Sequence, residues 1–152
     1  MKRNAFTLVE LIFVIVVLGI LAAVAIPRLG GNIESAQIAK AQGDVAAVRA
    51  SIASARQKML VTGINAYPSR LDAGVAANTV GVQIFDTNGS LTILTYPVYT
   101  KNNGWMKTSN STYSVKIAET PVTFTYTSST GVFDCHTYNS GQADTYCKKI
   151  AE

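Results

Sequence analysis

The first residue in this chain with chemistry to offer is an acid among hydrocarbons. Glu10 stands at the head of sixteen consecutive apolar residues, Leu11 to Ile26. A carboxylate inside a membrane helix costs about 2.5–3.5 kcal/mol on insertion scales, so such a residue points to function by default. The other reactive side chains gather near the end of the sequence. Cys135 and Cys147, with eleven residues between them, are the two cysteines. One pair permits one disulfide, worth roughly 3 kcal/mol through loop closure in an oxidising compartment, and the alternative is a buried reduced pair. Zinc fits poorly, because Cys135, His136 and Cys147 give only three soft ligands and adjacent residues 135 and 136 point to opposite faces of an extended chain. Asp134, Asn139 and Asp144 offer oxygen to calcium, yet carry too few carboxylates for the six or more ligands that ion takes, and a solvated loop is expected. His136 has no nucleophile partner in a recognisable motif and is expected at the surface. There is no glycine-rich phosphate loop and no carboxylate pair on one predictable face. No enzyme activity, metal or other cofactor is expected.

Composition narrows the classes further. Apolar residues make up 48% of the 152-residue chain, enough for one modest globular domain beside a membrane segment. Charged residues are only 14%, well under the usual quarter, and the apolar run accounts for part of the deficit. Lys2 and Arg3 supply two charges of the net +4. After them no basic cluster exceeds Lys148-Lys149, so nucleic acid is not an expected partner.

Phe6 to Ile26 is 21 residues, about 31 Å as a helix, which matches a hydrocarbon core of about 30 Å. Lys2 and Arg3 ahead of it hold the N-terminus in the cytoplasm by the positive-inside rule and send the chain after Pro27 outward. Ala23-Val24-Ala25 has the form of a signal-peptidase site, but the run is longer than an ordinary h-region, Glu10 interrupts its start, and Pro27 follows the supposed cut. Neither a cleavable signal nor a plain anchor gives Glu10 a purpose.

The stretch "AFTLVELIFVIVVLGILAAVAIP" resembles the N-terminus of the type IV pilin and type II secretion pseudopilin superfamily. The resemblance implies a leader, residues 1–5, removed by a prepilin peptidase between Ala5 and Phe6, and methylation of the new N-terminus at Phe6. Ala5 departs from the glycine usual before the cut, which implies slower or merely tolerated processing. Residues 6–27 become the transmembrane and filament-core segment, with a helix-kinking proline at Pro27. Glu10 becomes the assembly residue, pairing with the Phe6 amine of a neighbouring subunit. A costly buried charge becomes tolerable once an opposite charge matches it, and a subunit out of register leaves it unpaired.

Residues 28–152 then form the exported head. Gly30 and Gly31, with Gly19, weaken helix at defined points. Ile38, Ala41, Val45, Val48, Ile52, Ala55 and Met59 recur at spacings of three and four, which predicts an amphipathic helix to about residue 60 with Lys40, Asp44, Arg49, Arg56 and Lys58 off the stripe. Residues 61–80 are rich in turn formers and read as a loop with at most a brief helix. The period then changes to two. Val82 to Phe85 and Leu91 to Tyr99 flank Asn88-Gly89 as a hairpin, and Tyr113/Val115/Ile117 and Val122/Phe124/Tyr126 follow as strands, with Val132 to Cys135 after a turn. The expected fold is α+β, a long helix on a roughly four-stranded antiparallel sheet, with the region 135–147 tied beside the last strand as in the bridged end of many pilins.

The function implied is a structural subunit of a type IV pilus-like filament, or alternatively a type II secretion pseudopilin. The cysteine pair leans toward the first and the short, plain head toward the second. A membrane-anchored periplasmic enzyme or binding protein is the alternative of a different class. The implied partners are further copies, minor pilins or pseudopilins, the prepilin peptidase and an inner-membrane platform with its ATPase motor. The implied location is the bacterial inner membrane before assembly and a periplasmic or surface filament after it.

Overall fold

The computed structural model describes residues 7–89, 91–135 and 141–151, without the side chains of residues 25–32. Two compact units divide the chain, Met1–Ala36 and Gln37–Glu152. Helix α1, Leu8–Val61, contributes to both. In the first unit it presents apolar side chains on every side: Leu8, Leu11, Phe13, Ile15, Leu18, Ile20 and Val24 are all exposed. Among the described residues no helix is long and apolar enough to cross a membrane, and the described side chains of the apolar run end at Val24. Gly19, Pro27, Gly30 and Gly31 all fall within α1, and the side chain of Pro27 lies outside the described residues.

In the second unit the expected stripe is buried. Ala41, Val45, Val48, Ile52 and Ala55 are at most 2% exposed, because residues three and four apart share a helix face that can turn wholly inward. They meet an aromatic core of Phe85, Trp105, Tyr113, Phe124 and Phe133, whose ring centroids lie 4.7–6.5 Å apart. These rings come largely from a four-stranded antiparallel sheet. Its strands, numbered by their place along the chain, are β5 (Trp105–Lys107), β6 (Thr112–Ile117), β7 (Thr120–Thr127) and β8 (Val132–Cys135), paired in that order. In β6 and β7 the buried residues alternate with more exposed ones, as the period of two requires.

The sheet has the expected number of strands but different members. Val82 to Phe85 and Leu91 to Tyr99 do not form one hairpin. β1 (Gln83–Ile84) pairs with β4 (Val98–Tyr99), while β2 (Thr87–Asn88) and β3 (Leu91–Thr92) make a separate small ribbon around Gly89. The cause is Phe85, whose φ of 56° turns the chain out of a strand and drops the ring into the core. Pro97, ahead of β4, has no N–H for a longer ladder. The missing sheet member is the short β5, and beyond the end of α1 at Val61 residues 62–80 contain no helix. A second helix, α2 (Gln142–Ala151), was not expected, and it packs on β7 and β8 through Tyr146, Cys147 and Ile150.

Arg49 and Arg56, which lie off the stripe, make tertiary contacts. Arg49 donates to the Phe133 carbonyl, the Ala151 carbonyl and Asp134 Oδ1, each at 3.0 Å. The Arg56 guanidinium lies 4.2 Å over the Tyr67 ring and donates to the Tyr67 hydroxyl. Gly131, at φ 73°, leaves room for that ring, because a Cβ there would overlap it. Gly89, also at positive φ, has open space around it. Gly131→Ala is therefore expected to destabilise the fold by more than the roughly 1 kcal/mol that Gly89→Ala costs through backbone strain alone. Urea unfolding of both variants checks this; equal losses would contradict the packing role of Tyr67.

Candidate functional site

At the head of α1 the chain makes a local closure around Glu10. Thr7 occupies the N-cap position, and its backbone N–H and its hydroxyl both donate to Glu10 Oε2, at 2.9 and 2.8 Å. The Glu10 N–H donates in return to Thr7 Oγ1 at 3.3 Å. This is a capping box, in which residues three apart satisfy backbone donors that a helix N-terminus leaves without partners. The sequence signal for it, T-x-x-E, is present as "TLVE". Both incoming bonds fall on Oε2, and among the described residues no donor reaches Oε1. Glu10 can thus hold its helix start and still offer an oxygen outward. Ala5 and Phe6 lie outside the described residues.

The C-terminal site is a clamp. Cys135 at the end of β8 is joined by a disulfide to Cys147 in α2. Arg49 grips the carbonyls on both sides of that bridge, and Gln42 Nε2 donates to the Lys149 carbonyl at 2.6 Å. Asp134, considered for calcium, accepts instead from Arg49 and from the Cys135 N–H. His136 and Asn139 lie outside the described residues. Among the described residues no group of three or more His, Cys, Asp and Glu side chains is placed to hold a metal ion.

A third constellation escaped the sequence reading altogether. Asp72, in the loop after α1, and Lys107, on β5, form an ion pair at 2.8 Å with side chains 0% and 3% exposed. Lys107 Nζ also donates to the Val75 carbonyl at 2.9 Å. Tyr113 donates to Asp72 Oδ2 at 2.5 Å and the Gly74 N–H to Oδ1 at 2.7 Å. Burial alone would raise the Asp72 pKa, but the bonds from Lys107, Tyr113 and Gly74 outweigh it and hold the carboxyl below the ordinary aspartate value. Burial, then the neighbouring Asp72, push the Tyr113 phenol far upward, so it stays a donor. Tyr126, pushed up to about 12 chiefly by burial, donates to the Pro68 carbonyl at 2.6 Å. Three sheet side chains thereby pin the loop that follows α1. No pattern of spacing announces a pair 35 residues apart.

With this geometry in view, the N-terminal segment is of a defined class: residues 1–26 match the model of the prokaryotic N-terminal methylation motif. The relatives are of two kinds, type II secretion system core proteins and fimbrial or type IV pilus proteins. The chain is 37% identical over 51 residues to type II secretion system core protein G of Pseudomonas aeruginosa, covering 34% of this chain and 36% of that one. It is 31% identical over 80 residues to a fimbrial protein of the same species, covering 51% and 52%. It is 44% identical over 55 residues to the type IV narrow pilus major component PilA5 of Thermus thermophilus, covering 36% and 47%. The matched stretches span about a third to a half of these relatives' lengths. No solved structure matches this chain.

The buried pair makes a prediction about acid. Asp72 has a depressed folded pKa, so the stability it contributes is complete above the unfolded aspartate value of about 3.9 and is lost as pH falls through the lower folded value. Asp72→Asn should be less stable than the parent near neutral pH and show a flatter loss below about pH 4 in urea unfolding. Lys107→Met, which leaves the carboxylate buried alone, should cost about 3–5 kcal/mol. An unchanged acid limb in the Asn variant would contradict the assignment.

Proposed function

We propose that this chain is a structural subunit of a type IV pilus-like or type II secretion filament, not an enzyme. The carrying observation is the methylation-motif segment, whose capped carboxylate heads a helix with apolar side chains exposed on every side. A surface of that kind requires a cover, which is the bilayer before assembly and the helices of other copies afterward. The relatives support filament assembly and favour neither the pilus nor the secretion system.

In this mechanism a prepilin peptidase cuts between Ala5 and Phe6 and the new N-terminus is methylated. Residues 6–27 anchor the subunit in the inner membrane, with the N-terminus cytoplasmic and the head outward. On assembly, the Glu10 carboxylate meets the Phe6 amine of a neighbour, and Gly19 and Pro27 let the helix bend as the bundle forms. A membrane platform and its ATPase supply the work, and minor pilins or pseudopilins are further partners. Contacts that join different faces of like subunits and do not close on themselves yield an open filament.

Two experiments test this function. Mass spectrometry of the mature protein should find a chain beginning with N-methylated Phe6, whereas a chain beginning near Ile26 would mark a secreted protein. Substitution at Glu10 separates the cap from the charge. Glutamine serves in a capping box as glutamate does, so Glu10→Gln should keep the helix start and insert in the membrane normally. Removing one partner of a buried ion pair costs about 3–5 kcal/mol, so the same variant should incorporate poorly into filaments. Normal filament yield from Glu10→Gln would reduce Glu10 to a capping residue.

A further inference from the structure

A groove of about 900 Å³ opens on the head between the first turns of its helix and the segment 96–101. Trp105, Val115 and Ile117 line it, and Tyr96, Tyr99 and Val80 stand at its rim. Tyr96 is 88% exposed, and Tyr99 and Val80 are each 53% exposed. Three lysines surround these apolar groups: Lys40, Lys101 and Lys116. The carboxylate facing them, Asp44, is already engaged, accepting from Trp105 Nε1 at 2.9 Å and from Lys40 at 2.7 Å. Lys101 has no ion pair among the described residues. Lys40 and Lys116 hold exposed pairs with Asp44 and Glu119, of the kind that exchange readily with another anion because they are worth little.

Exposed tyrosine rings interleaved with lysines are the chemistry of a membrane interface, where the ring sits among headgroups and the ammonium meets lipid phosphate. The chain itself holds that interface close. Only residues 27–36 separate the apolar run from Gln37, and Gln37 is part of the groove wall. That connection spans about 16 Å as a helix and at most about 40 Å fully extended. A second copy is a poorer occupant, because residues 37–152 carry ten basic against seven acidic residues and a like-charged rim disfavours self-docking.

We propose that the Tyr96–Lys101 rim and its groove dock on anionic phospholipid headgroups of the bilayer that anchors the same chain, holding the head against the membrane until the subunit is withdrawn. The proposal rests on the membrane-anchored function above. It gives the head a resting position that extraction must break, and it makes that step sensitive to lipid charge and salt.

The test uses the full chain in phosphatidylglycerol/phosphatidylethanolamine vesicles and in neutral phosphatidylcholine vesicles, with vesicle flotation and amide hydrogen exchange over residues 96–101 as readouts. The chain should float with both. Exchange over 96–101 should be slower on the anionic vesicles, and added salt should reverse the difference. Lys101→Gln should reduce that protection about fivefold, Tyr96→Ala should weaken it, and both variants should still float. Flotation with identical exchange on the two lipids would overturn the docking and leave the anchor standing. Protection that follows protein density and not anionic lipid content would assign the rim to a second copy and overturn the proposal. Failure to float on either lipid would remove the anchored function and the docking together.

Discussion

A helix that exposes Leu11, Phe13, Ile15, Leu18 and Val24 around its whole circumference cannot stand in water, and a carboxylate at its head cannot comfortably enter a bilayer. The start of the chain is built around that conflict. The capping box resolves the backbone half of it, since Thr7 and Glu10 satisfy each other's donors without help from another molecule. The charge half is left open. Under the proposed function, the cation that closes it is the freed N-terminus of a neighbouring subunit.

The second unit, Gln37–Glu152, is held together by a different set of contacts. Its helix face and aromatic core are ordinary hydrophobic packing. Long-range polar ties add to it: Arg49 to β8 and the end of α2, the disulfide between the same two elements, and the Asp72–Lys107–Tyr113 cluster that pins the loop after α1. A buried ion pair is weak evidence for net stability, because desolvating two charges offsets much of their attraction. Its stronger effect is on uniqueness, since a slipped loop would bury Lys107 or Asp72 without its partner.

The parts legible in the sequence were those with a long period or a local signature. Twenty-two residues from Ile38 to Met59 repeat their apolar positions at helical spacing, and the helix and its buried face follow directly. The alternation in Tyr113/Val115/Ile117 and Val122/Phe124/Tyr126 likewise marked β6 and β7. Strands of two or three residues carry too little pattern, so β2 and β5 are not marked and the pairing of β1, β3 and β4 differs from one hairpin, and the turn at Phe85 has no glycine to mark it. α2 was readable in principle, with Asp144 in its first turn, two lysines in its last and Tyr146 and Ile150 four apart. The methylation-motif segment is legible as a motif, and its capping box is legible too, as T-x-x-E, once the carboxylate is read as a hydrogen-bond acceptor as well as a charge. Arg49 and the Asp72–Lys107 pair were illegible, because their partners are brought near by the fold alone.

The central claim is a contact between two molecules, so the most direct measurement is intermolecular. Filaments assembled from a mixture of copies, some with ¹⁵N-labelled phenylalanine and others with glutamate ¹³C-labelled at the side-chain carboxyl, can be examined by solid-state dipolar recoupling. A carboxyl carbon of Glu10 within about 4 Å of an amine nitrogen of Phe6 on a differently labelled copy is the expected result, the separation at which opposite charges stabilise each other's ionised forms. Absence of that coupling in intact filaments, with Glu10 in contact with water, would contradict the account.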